Sequence, residues 1–332
     1  MKVNYYQHRK RQYHILLCIL FLCIFILSLL SLCIGKNTYS VLTVCKVLFG
    51  ETVENANFTI MQLRLPRILA AIFCGSAFGI SGTIFQKLLH NPLASPDVIG
   101  VSSIASASTI IGLLVLKLSI GYTLCFSFFI TVCVATCFYF LAHFHGYSNP
   151  KLILIGIGTQ AFFQAMISWV LLKTNIYDVS SALHWLSGSL NGISLSGLFL
   201  PACLILVSIF LTLLLHYPLT ILQLGSTTAT VLGIPVKTMR FLLFFLALIL
   251  VSLGITITGP LASISFLSGP IANKLSKSYQ CHLMASAFIG ILLILLADFT
   301  SQHILPVTYP AGILTGLIGA IYFLYLLAKN KE

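Results

Sequence analysis

Charged residues are scarce in this chain of 332 residues: Asp, Glu, Lys and Arg make up 7% of it, and only 6 residues are acidic. Soluble domains are about one quarter charged, so the composition excludes an ordinary globular enzyme and a disordered regulator. Hydrophobic residues fill 58% of the chain, and its mean hydropathy is +1.04. Because a transmembrane helix needs roughly 20 apolar residues, the sequence predicts a polytopic, all-α membrane protein.

Several chemical motifs are also missing. No G-x-x-x-x-G-K-[ST] phosphate-binding loop occurs, so ATP-driven work would have to be done by another subunit. The 10 cysteines include no C-x-x-C pair and are interpreted as packing residues. Gly79-Ile80-Ser81-Gly82 matches the GxSG of intramembrane proteases, but no histidine lies within a span to act as its base. His143-x-His145 has no further ligands nearby, and neither a catalytic nor a metal site is predicted.

Apolar runs bounded by Gly, Pro or polar residues predict about ten membrane spans. They cover residues 15–34, 66–86, 98–116, 121–142, 152–172, 198–216, 240–258, 261–271, 282–299 and 308–328. The first run is too long for a signal-peptide core and is predicted to be a retained span. The eighth is short and bracketed by Gly259-Pro260 and Gly269-Pro270, which predicts non-helical backbone that is buried in protein or lines a cavity.

The placement of charge predicts the orientation of the chain. If residues 1–14 form a basic cytoplasmic N-terminus, the loops assigned to the inside hold about twice as many Lys and Arg residues as those assigned to the outside. Both ends of a single membrane domain, residues 1–332, are therefore expected in the cytoplasm. The net charge of +12 then sets orientation, and no nucleic-acid partner is expected.

Two polar segments are long enough to do more than connect spans. The outer one, residues 35–65, carries an apolar periodicity (Val41, Val44, Val47 and Leu48) that predicts a helix lying on the surface. The inner one, residues 216–239, predicts one or two short helices separated by Gly225 and Gly233. Such a helix pair could dock a cytosolic partner.

Ionisable residues are nearly absent from the predicted spans. Ion-coupled carriers usually bury a carboxylate near the midplane, so this scarcity counts against a secondary carrier. Asp298 comes closest, near an outer helix end, where it is either an exposed carboxylate or a structural pairing partner.

A series of motifs follows in a fixed order along most of the chain after residue 60. They are Arg64-Leu65-Pro66-Arg67, Gly75 to Gly82, Gln86, Asn91-Pro92-Leu93-Ala94-Ser95-Pro96-Asp97-Val98-Ile99-Gly100, Trp185-Leu186-Ser187-Gly188-Ser189-Leu190, Leu224-Gly225, Ala229-Thr230-Val231-Leu232-Gly233, Gly259-Pro260, Ala297-Asp298 and Tyr309-Pro310-Ala311-Gly312 to Gly319. Together they resemble the FecCD-type permeases, the membrane subunits of ABC importers for iron-siderophores, haem and cobalamin.

This resemblance implies a fold and a set of partners. The expected fold is that of a type II importer permease such as the cobalamin one, with ten helices in which helices two to five and seven to ten form an inverted repeat. The expected partners are a second permease subunit, identical or paralogous, two cytosolic ABC ATPases and an extracytoplasmic binding protein. ATP and Mg belong to the ATPases, and no cofactor is expected in this chain.

The resemblance also assigns roles at the two faces of the membrane. Arg64 and Arg67 match arginines that accept acidic residues of the binding protein, and a third docking arginine is replaced here by Gln302, beside His303. Anchoring to lipid headgroups is the alternative for the two arginines. The segment that couples to the ATPase is matched by Leu224, Gly225, Ala229, Leu232 and Gly233, where Ala229 and Gly233 are expected to allow close approach. An ordinary amphipathic connection is the alternative there.

Small, weakly polar side chains are expected to line the pathway, because a channel must not bind its cargo tightly. The candidates are Ser81, Ser102, Ser103, Ser106, Ser108, Gln160, Gln164 and Ser168, with interhelical packing as the alternative for each. Hinge or loop roles are expected for Asn91, Pro92, Pro96, Gly259, Pro260, Gly269 and Pro270.

One departure from the family pattern bears on the cargo. Where most members read G-L-I-V-P-H-I-A-R, this chain has Ser265-Phe266-Leu267-Ser268-Gly269-Pro270-Ile271-Ala272-Asn273, so Pro270 and Asn273 replace a His and an Arg. This variant resembles the siderophore branch. The expectation is a permease that imports ferric siderophore across the bacterial cytoplasmic membrane; a haem or cobalamin permease and an ion-coupled carrier are the alternatives.

Overall fold

The computed structural model describes residues 2–53, 56–143, 149–276 and 282–329, and these residues contain fourteen α-helices and no strand. The helices are α1 (Lys2–Cys33), α2 (Val41–Leu48), α3 (Leu65–Leu88), α4 (Val101–Ile110), α5 (Ile120–His143), α6 (Asn149–Lys173), α7 (Ile176–Leu186), α8 (Leu195–Leu214), α9 (His216–Leu222), α10 (Ser226–Val231), α11 (Val236–Thr258), α12 (Ala262–Ser276), α13 (Leu283–His303) and α14 (Ala311–Lys329). A π-helical turn at Phe58–Arg64 leads directly into α3, and another at Ile111–Val115 follows α4.

Each of the ten predicted runs coincides with a helix. In the described ranges, seven helices are long and apolar enough to cross a membrane: Arg11–Cys33, Phe58–Leu88, Ile120–Ala142, Lys151–Lys173, Leu195–Leu214, Val236–Thr258 and Leu283–His303. The other three predicted spans form shorter helices, namely Val101–Val115, Ala262–Ser276 and an apolar stretch at Ala311–Tyr325. Most residues of α4 are buried against other helices of the chain, and so is the middle of α12 from Ile264 to Gly269 apart from Phe266. These two helices therefore need not match the lipid thickness.

The helix contacts follow the predicted internal repeat. In the first half α4 packs on α5 and α6, and in the second half α12 packs on α13 and α14. Across the halves, α3 packs on α12 and α13 while α11 packs on α4 and α5, and α3 and α11 pack on each other. α3 starts at the end of the bundle that holds Arg67, and α11 finishes there, because the Thr258 carbonyl accepts from the Ser189 amide beside it. The halves are therefore inverted, as predicted.

α3 lies at the centre of the bundle and is buried along most of its length. Its neighbours approach its backbone closely, since a Cβ added at Gly79 would collide with the Ser286 carbonyl and one added at Gly82 with the Ser265 carbonyl. Without a hydrophobic driving force between helices in lipid, such small-residue contacts are what hold helices together. The Gly79–Gly82 stretch is thus a packing seam, and Ser81 is not a nucleophile: its Oγ donates to the Phe78 carbonyl at 3.1 Å.

The prediction of non-helical backbone for the eighth run is wrong. α12 continues unbroken from Ala262 to Ser276, with Gly269 and Pro270 inside it. Proline at 270 removes the amide that would bond the Phe266 carbonyl four residues earlier. The side chain of Gln86 supplies the missing donor, with Nε2 at 3.0 Å from that carbonyl. Gly269 leaves room for this amide, because a Cβ there would collide with Gln86 Oε1.

This arrangement makes a testable prediction about stability. Gln86→Leu leaves the partly buried Phe266 carbonyl without this donor, and we expect it to cost about 1–3 kcal/mol. Adding Pro270→Ala returns a backbone N–H at residue 270, so the double variant is expected to regain most of the loss. Thermal unfolding in detergent, followed by circular dichroism, measures both effects.

A matched control is Gln223→Leu, because the Gln223 amide donates at 3.4 Å to a carbonyl of its own helix end. A change within about 0.5 kcal/mol is expected there. If Pro270→Ala fails to rescue Gln86→Leu, the assigned role of the Gln86 amide is incorrect.

Candidate functional site

An ion pair joins the first turn of α3 to the last turns of α13. Arg67 Nε lies 2.8 Å from Asp298 Oδ1 and 2.9 Å from Oδ2, and Gln302 Nε2 donates to Oδ2 at 2.6 Å. Arg67 also donates from Nη1 to Asn191 Oδ1. The side chains of Arg67 and Asp298 are only 18% and 6% exposed. Of the two roles considered for Asp298, the structure shows the pairing one.

Arg64 lies one turn earlier and is held differently. Its guanidinium donates to the Leu32 carbonyl at 2.5 Å and to the Asn37 carbonyl at 2.6 Å, and its Cζ lies 5.3 Å from the centre of the Tyr39 ring. Among the described residues no carboxylate pairs with it. The two arginines predicted to act alike therefore differ: Arg67 is neutralised within the chain, and Arg64 keeps its positive charge.

The same end of the bundle is closed by tight backbone contacts around Gly188 and Gly259. Both have positive φ, at 72° and 74°, and a Cβ on Gly188 would lie 2.6 Å from the Pro260 carbonyl. The Gly312 amide donates to the Gly188 carbonyl at 2.9 Å. A side chain at either glycine would strain the turn and separate these segments. The hinge role assigned to Gly259 and Pro260 stays a prediction.

A cavity of about 240 Å³ brings together four of the predicted pathway residues. It lies between α4, α6, the end of α7 and the turn before α12, and its lining is Ser102, Ser103, Ser106, Gln164, Ile167, Leu186 and Pro260. Hydroxyl and amide groups can bond a passing ligand without a formal charge, which suits weak binding.

The remaining pathway candidates lie elsewhere. Ser81 is fully buried in the α3 packing seam, and Ser108 is buried and bonded to Ser127 at 3.0 Å; neither lines the cavity. Gln160 and Ser168 are exposed on the same helix as Gln164, four residues to either side of it. At a spacing of four these three side chains share one face of α6.

A carboxylate lies directly behind this cavity. Asp97 accepts a hydrogen bond from Ser102, which itself lines the cavity. Burial raises the pKa of Asp97, while hydrogen bonds from Ser102 and Ser95 oppose that shift. The raised pKa favours the protonated carboxyl. Sequence analysis named Asp97 within the motif 91–100 but gave it no role, and it did not name Asn191, because one polar residue in a loop carries no spacing signal.

The segment 91–100 is a compact loop that packs on α6. The Leu93 amide donates to Asn91 Oδ1 at 2.9 Å, and Pro96 is buried at the start of a short 3₁₀ helix. A Cβ on Gly156 of α6 would collide with the Val98 carbonyl. Pro92, in contrast, is exposed. The residues 91–100 thus form a loop; a hinge role for Asn91, Pro92 and Pro96, or for Gly269 and Pro270, stays a prediction.

The segment 216–239, at the opposite end from Arg67, forms two short helices, as predicted. α9 and α10 are separated by Gly225 with φ of 103°, and Gly233 with φ of 79° follows. Leu224, Val231 and Leu232 are 63%, 82% and 55% exposed, and nothing lies within 4 Å of a Cβ added at either glycine. Ala229 differs from expectation: it is fully buried against its own chain, so it provides no surface for close approach by a partner.

Burial favours the neutral form of two histidines near this end, His282 and His216. Burial, followed by the charges of Lys87 and His216, lowers the pKa of His282 to about 4, and burial lowers the pKa of His216. Within the described ranges no group of three His, Cys, Asp or Glu side chains is placed to hold a metal. His145 and Cys281 lie outside the described residues.

Comparison with known proteins gives consistent matches over the chain's length. A sequence model described as the FecCD transport family matches residues 22–329. A ferric enterobactin transport system permease of Escherichia coli is 30% identical over 90% of this chain and 91% of its own. An Fe(3+)-citrate import system permease of Bacillus subtilis is 35% identical over 96% of both chains. The solved structure of a metal-chelate type ABC transporter, in an inward-facing conformation, aligns with a TM-score of 0.83, 26% identity, and coverage of 94% of this chain and 98% of the other.

The Arg67–Asp298 pair makes a prediction about stability. Asp298→Asn leaves a largely buried guanidinium without its counter-ion, and we expect a loss of about 3 kcal/mol. Arg67→Gln is expected to cost a similar amount, and the double variant clearly less than the sum, because the two residues act as one unit. Thermal unfolding of the four proteins in detergent gives the coupling.

The surface pair Lys46–Glu51 provides the control, since its side chains are 60% and 62% exposed. Lys46→Gln is expected to change stability by less than about 1 kcal/mol. Strict additivity of the Arg67 and Asp298 effects would contradict the assigned pairing.

Proposed function

The chain belongs to the FecCD transport family and is the permease subunit of a metal-chelate or siderophore-type ABC importer, and from this premise we propose that its cargo is a ferric siderophore. It is a transport subunit, not an enzyme. An ATPase and a substrate-binding protein work with it. We further propose that the complete importer holds two permease chains and two ATPases.

The cargo proposal rests on the sequence variant in α12 and on the relatives. Pro270 and Asn273 replace the His and Arg of most of the family, in the pattern that resembles the siderophore branch. The two curated relatives described above are named for ferric enterobactin and for Fe(3+)-citrate. Both names describe iron(III) held by an organic chelator, and such a chelate is the cargo proposed for this chain.

One observation carries the proposed pathway: the side chains of three serines and one glutamine line a cavity together with three apolar residues. Gln160 and Gln164 lie in the middle of the candidate span Lys151–Lys173 and are exposed on the surface of the chain. Amide side chains at that depth are costly against hydrocarbon and are expected to face protein or water. This favours a second permease chain covering the face, with the pathway between the two.

The size of the cavity supports the same arrangement. Sites for drug-sized ligands measure roughly 300–1,000 Å³, whereas the cavity of this chain is about 240 Å³. A ferric chelate would therefore need space contributed by the second chain. Ser102, Ser103, Ser106 and Gln164 are proposed to line one wall of that shared space.

The two ends of the bundle are proposed to receive different partners. The distribution of Lys and Arg favours a cytoplasmic location for both termini, which puts Arg64 outside and α9 and α10 inside. Arg64 then offers the binding protein a positive charge that no carboxylate of the described residues neutralises. Leu224 and Leu232 are exposed apolar side chains on the inner end and are proposed to fit a groove on the ATPase.

Uptake of labelled iron tests the cargo. Cells lacking this chain, and the same cells with it restored, would receive iron on hydroxamate, catecholate and citrate chelators, as well as haem and cobalamin. We expect one class of ferric chelate to depend on the chain. Dependence of haem or cobalamin uptake instead would leave the family assignment intact and refute the cargo proposal.

Two opposed variants test the partner assignments. Arg64→Glu reverses the charge at this position, so we expect loss of uptake and of binding-protein capture while the ATPase still co-purifies. Leu224→Asp with Leu232→Asp is expected to do the reverse. Lys173→Glu is the charge control, because Lys173 lies at the end of α6 over the Trp169 ring. Loss of ATPase co-purification in Arg64→Glu would show that Arg64 is structural.

A further inference from the structure

The short helix α2 is apolar on two opposite faces. Val44 and Val47 are 0% and 2% exposed and pack against α1 and the π-helical turn 58–64. On the opposite face Leu42 is 75% exposed, and Phe49, directly after the helix, is 90% exposed. Sequence analysis placed Val44 and Val47 on the periodic face but did not detect the second one. No element of the described chain covers Leu42 and Phe49.

The depth of α2 follows from the helix on which it packs. Twenty residues separate Arg67 from Lys87, and at about 1.5 Å per residue this stretch is about 30 Å long, the thickness of the hydrocarbon core. The π-helical turn 58–64 therefore lies beyond the core, at the level of the headgroups. Because α2 packs on this turn and on the end of α1, it lies at the same level.

The connection between α1 and α2 is short and fixed. Arg64 binds the Leu32 and Asn37 carbonyls, and the Tyr39 amide donates to the Cys33 carbonyl at 2.9 Å. Ser40 caps α2 by accepting from the Thr43 amide at 3.1 Å. These bonds hold α2 directly beside the end of a membrane span.

The two sides of the exposed face of α2 differ in polarity, as expected for a helix at the boundary between lipid and water. At about 100° per residue, Val41 and Leu48 lie on one side of the outward face, whereas Thr43 and Lys46 lie on the other. Val41 and Leu48 are 49% and 42% exposed. On the other side, Lys46 forms an exposed salt bridge with Glu51. One flank thus suits lipid, and the other suits water. The exposed apolar side chains also continue those on α1, where Leu30 and Ile34 are 38% and 36% exposed.

We propose that α2 lies in the membrane interface, with Leu42 and Phe49 inserted among the lipid chains beside α1. An amphipathic helix of this kind rests at the boundary between headgroups and acyl chains. It fixes the position of the π-helical turn that ends at Arg64 relative to the bilayer surface. This inference needs only that the chain crosses a membrane, and does not depend on the cargo.

Tryptophan fluorescence in the full-length protein tests the placement. The background protein carries Trp169→Phe and Trp185→Phe, which removes both native tryptophans. Phe49→Trp is the probe, and Glu51→Trp is the control, because Glu51 is two residues away and its side chain is 62% exposed. Both are reconstituted in nanodiscs of phosphatidylcholine with or without acyl-chain bromine, and iodide serves as the aqueous quencher.

We expect Phe49→Trp to emit at shorter wavelength and to be quenched several-fold more by brominated lipid than Glu51→Trp, with the opposite order for iodide. The two probes share the same intrinsic preference of indole for interfaces, so the difference reports their positions. Leu42→Trp provides a second probe should Phe49→Trp fail to fold. Iodide quenching of Phe49→Trp and of Leu42→Trp as strong as that of Glu51→Trp would overturn the proposal. Protection that appears only after the purified binding protein is added would assign the face to that protein and would also overturn it.

Discussion

The structure depends on one constraint: at membrane depth every backbone donor and acceptor must find a partner inside the protein. α12 shows how this is met. Its proline at 270 frees the Phe266 carbonyl, and Gln86 of α3 supplies the donor at 3.0 Å. This is feasible only because α3 is central and approaches α12 along a seam of small residues such as Gly82 and Gly269. The same close packing of α3 on α12 therefore also provides the hydrogen-bond donor that the Phe266 carbonyl needs.

The same constraint sorts the polar side chains. Hydroxyls within the spans mostly bond carbonyls of their own helix, as Thr83 does with Gly79 at 2.9 Å and Ser268 with Ile264 at 2.7 Å. The one buried ion pair found in the described residues, Arg67–Asp298, lies at an end of the bundle. The amide side chains of Gln160 and Gln164 on α6 are exposed, and no hydrogen-bond partner for them is found among the described residues. A second chain or water must supply the hydrogen-bond partners of these two amide groups.

Sequence reasoning reached the number and order of the apolar helices because hydrophobic run length and Gly/Pro boundaries are local signals. It also identified the paired short helices 216–239, since Gly225 and Gly233 adopt the positive φ that glycine permits. It failed at Pro270, because a proline ends a helix only when no neighbour supplies the lost donor, and Gln86 is far away in sequence. The expectations of a partner surface at Ala229 and of pathway lining at Ser81 failed for a related reason. A small residue gives the same sequence signal whether it faces a partner or packs within its own chain.

The ion pair also separates two arginines that a motif treats as equal. Drawing Arg67 toward an external carboxylate would leave Asp298, whose side chain is 6% exposed, without its cation. Breaking a buried pair in this way costs several kcal/mol. Arg64 gives up only bonds to the carbonyls of Leu32 and Asn37, and its charge is not compensated by a carboxylate in the described chain. Pairing with an acidic partner therefore costs less free energy at Arg64 than at Arg67. Arg67 instead holds α3, α13 and Asn191 together.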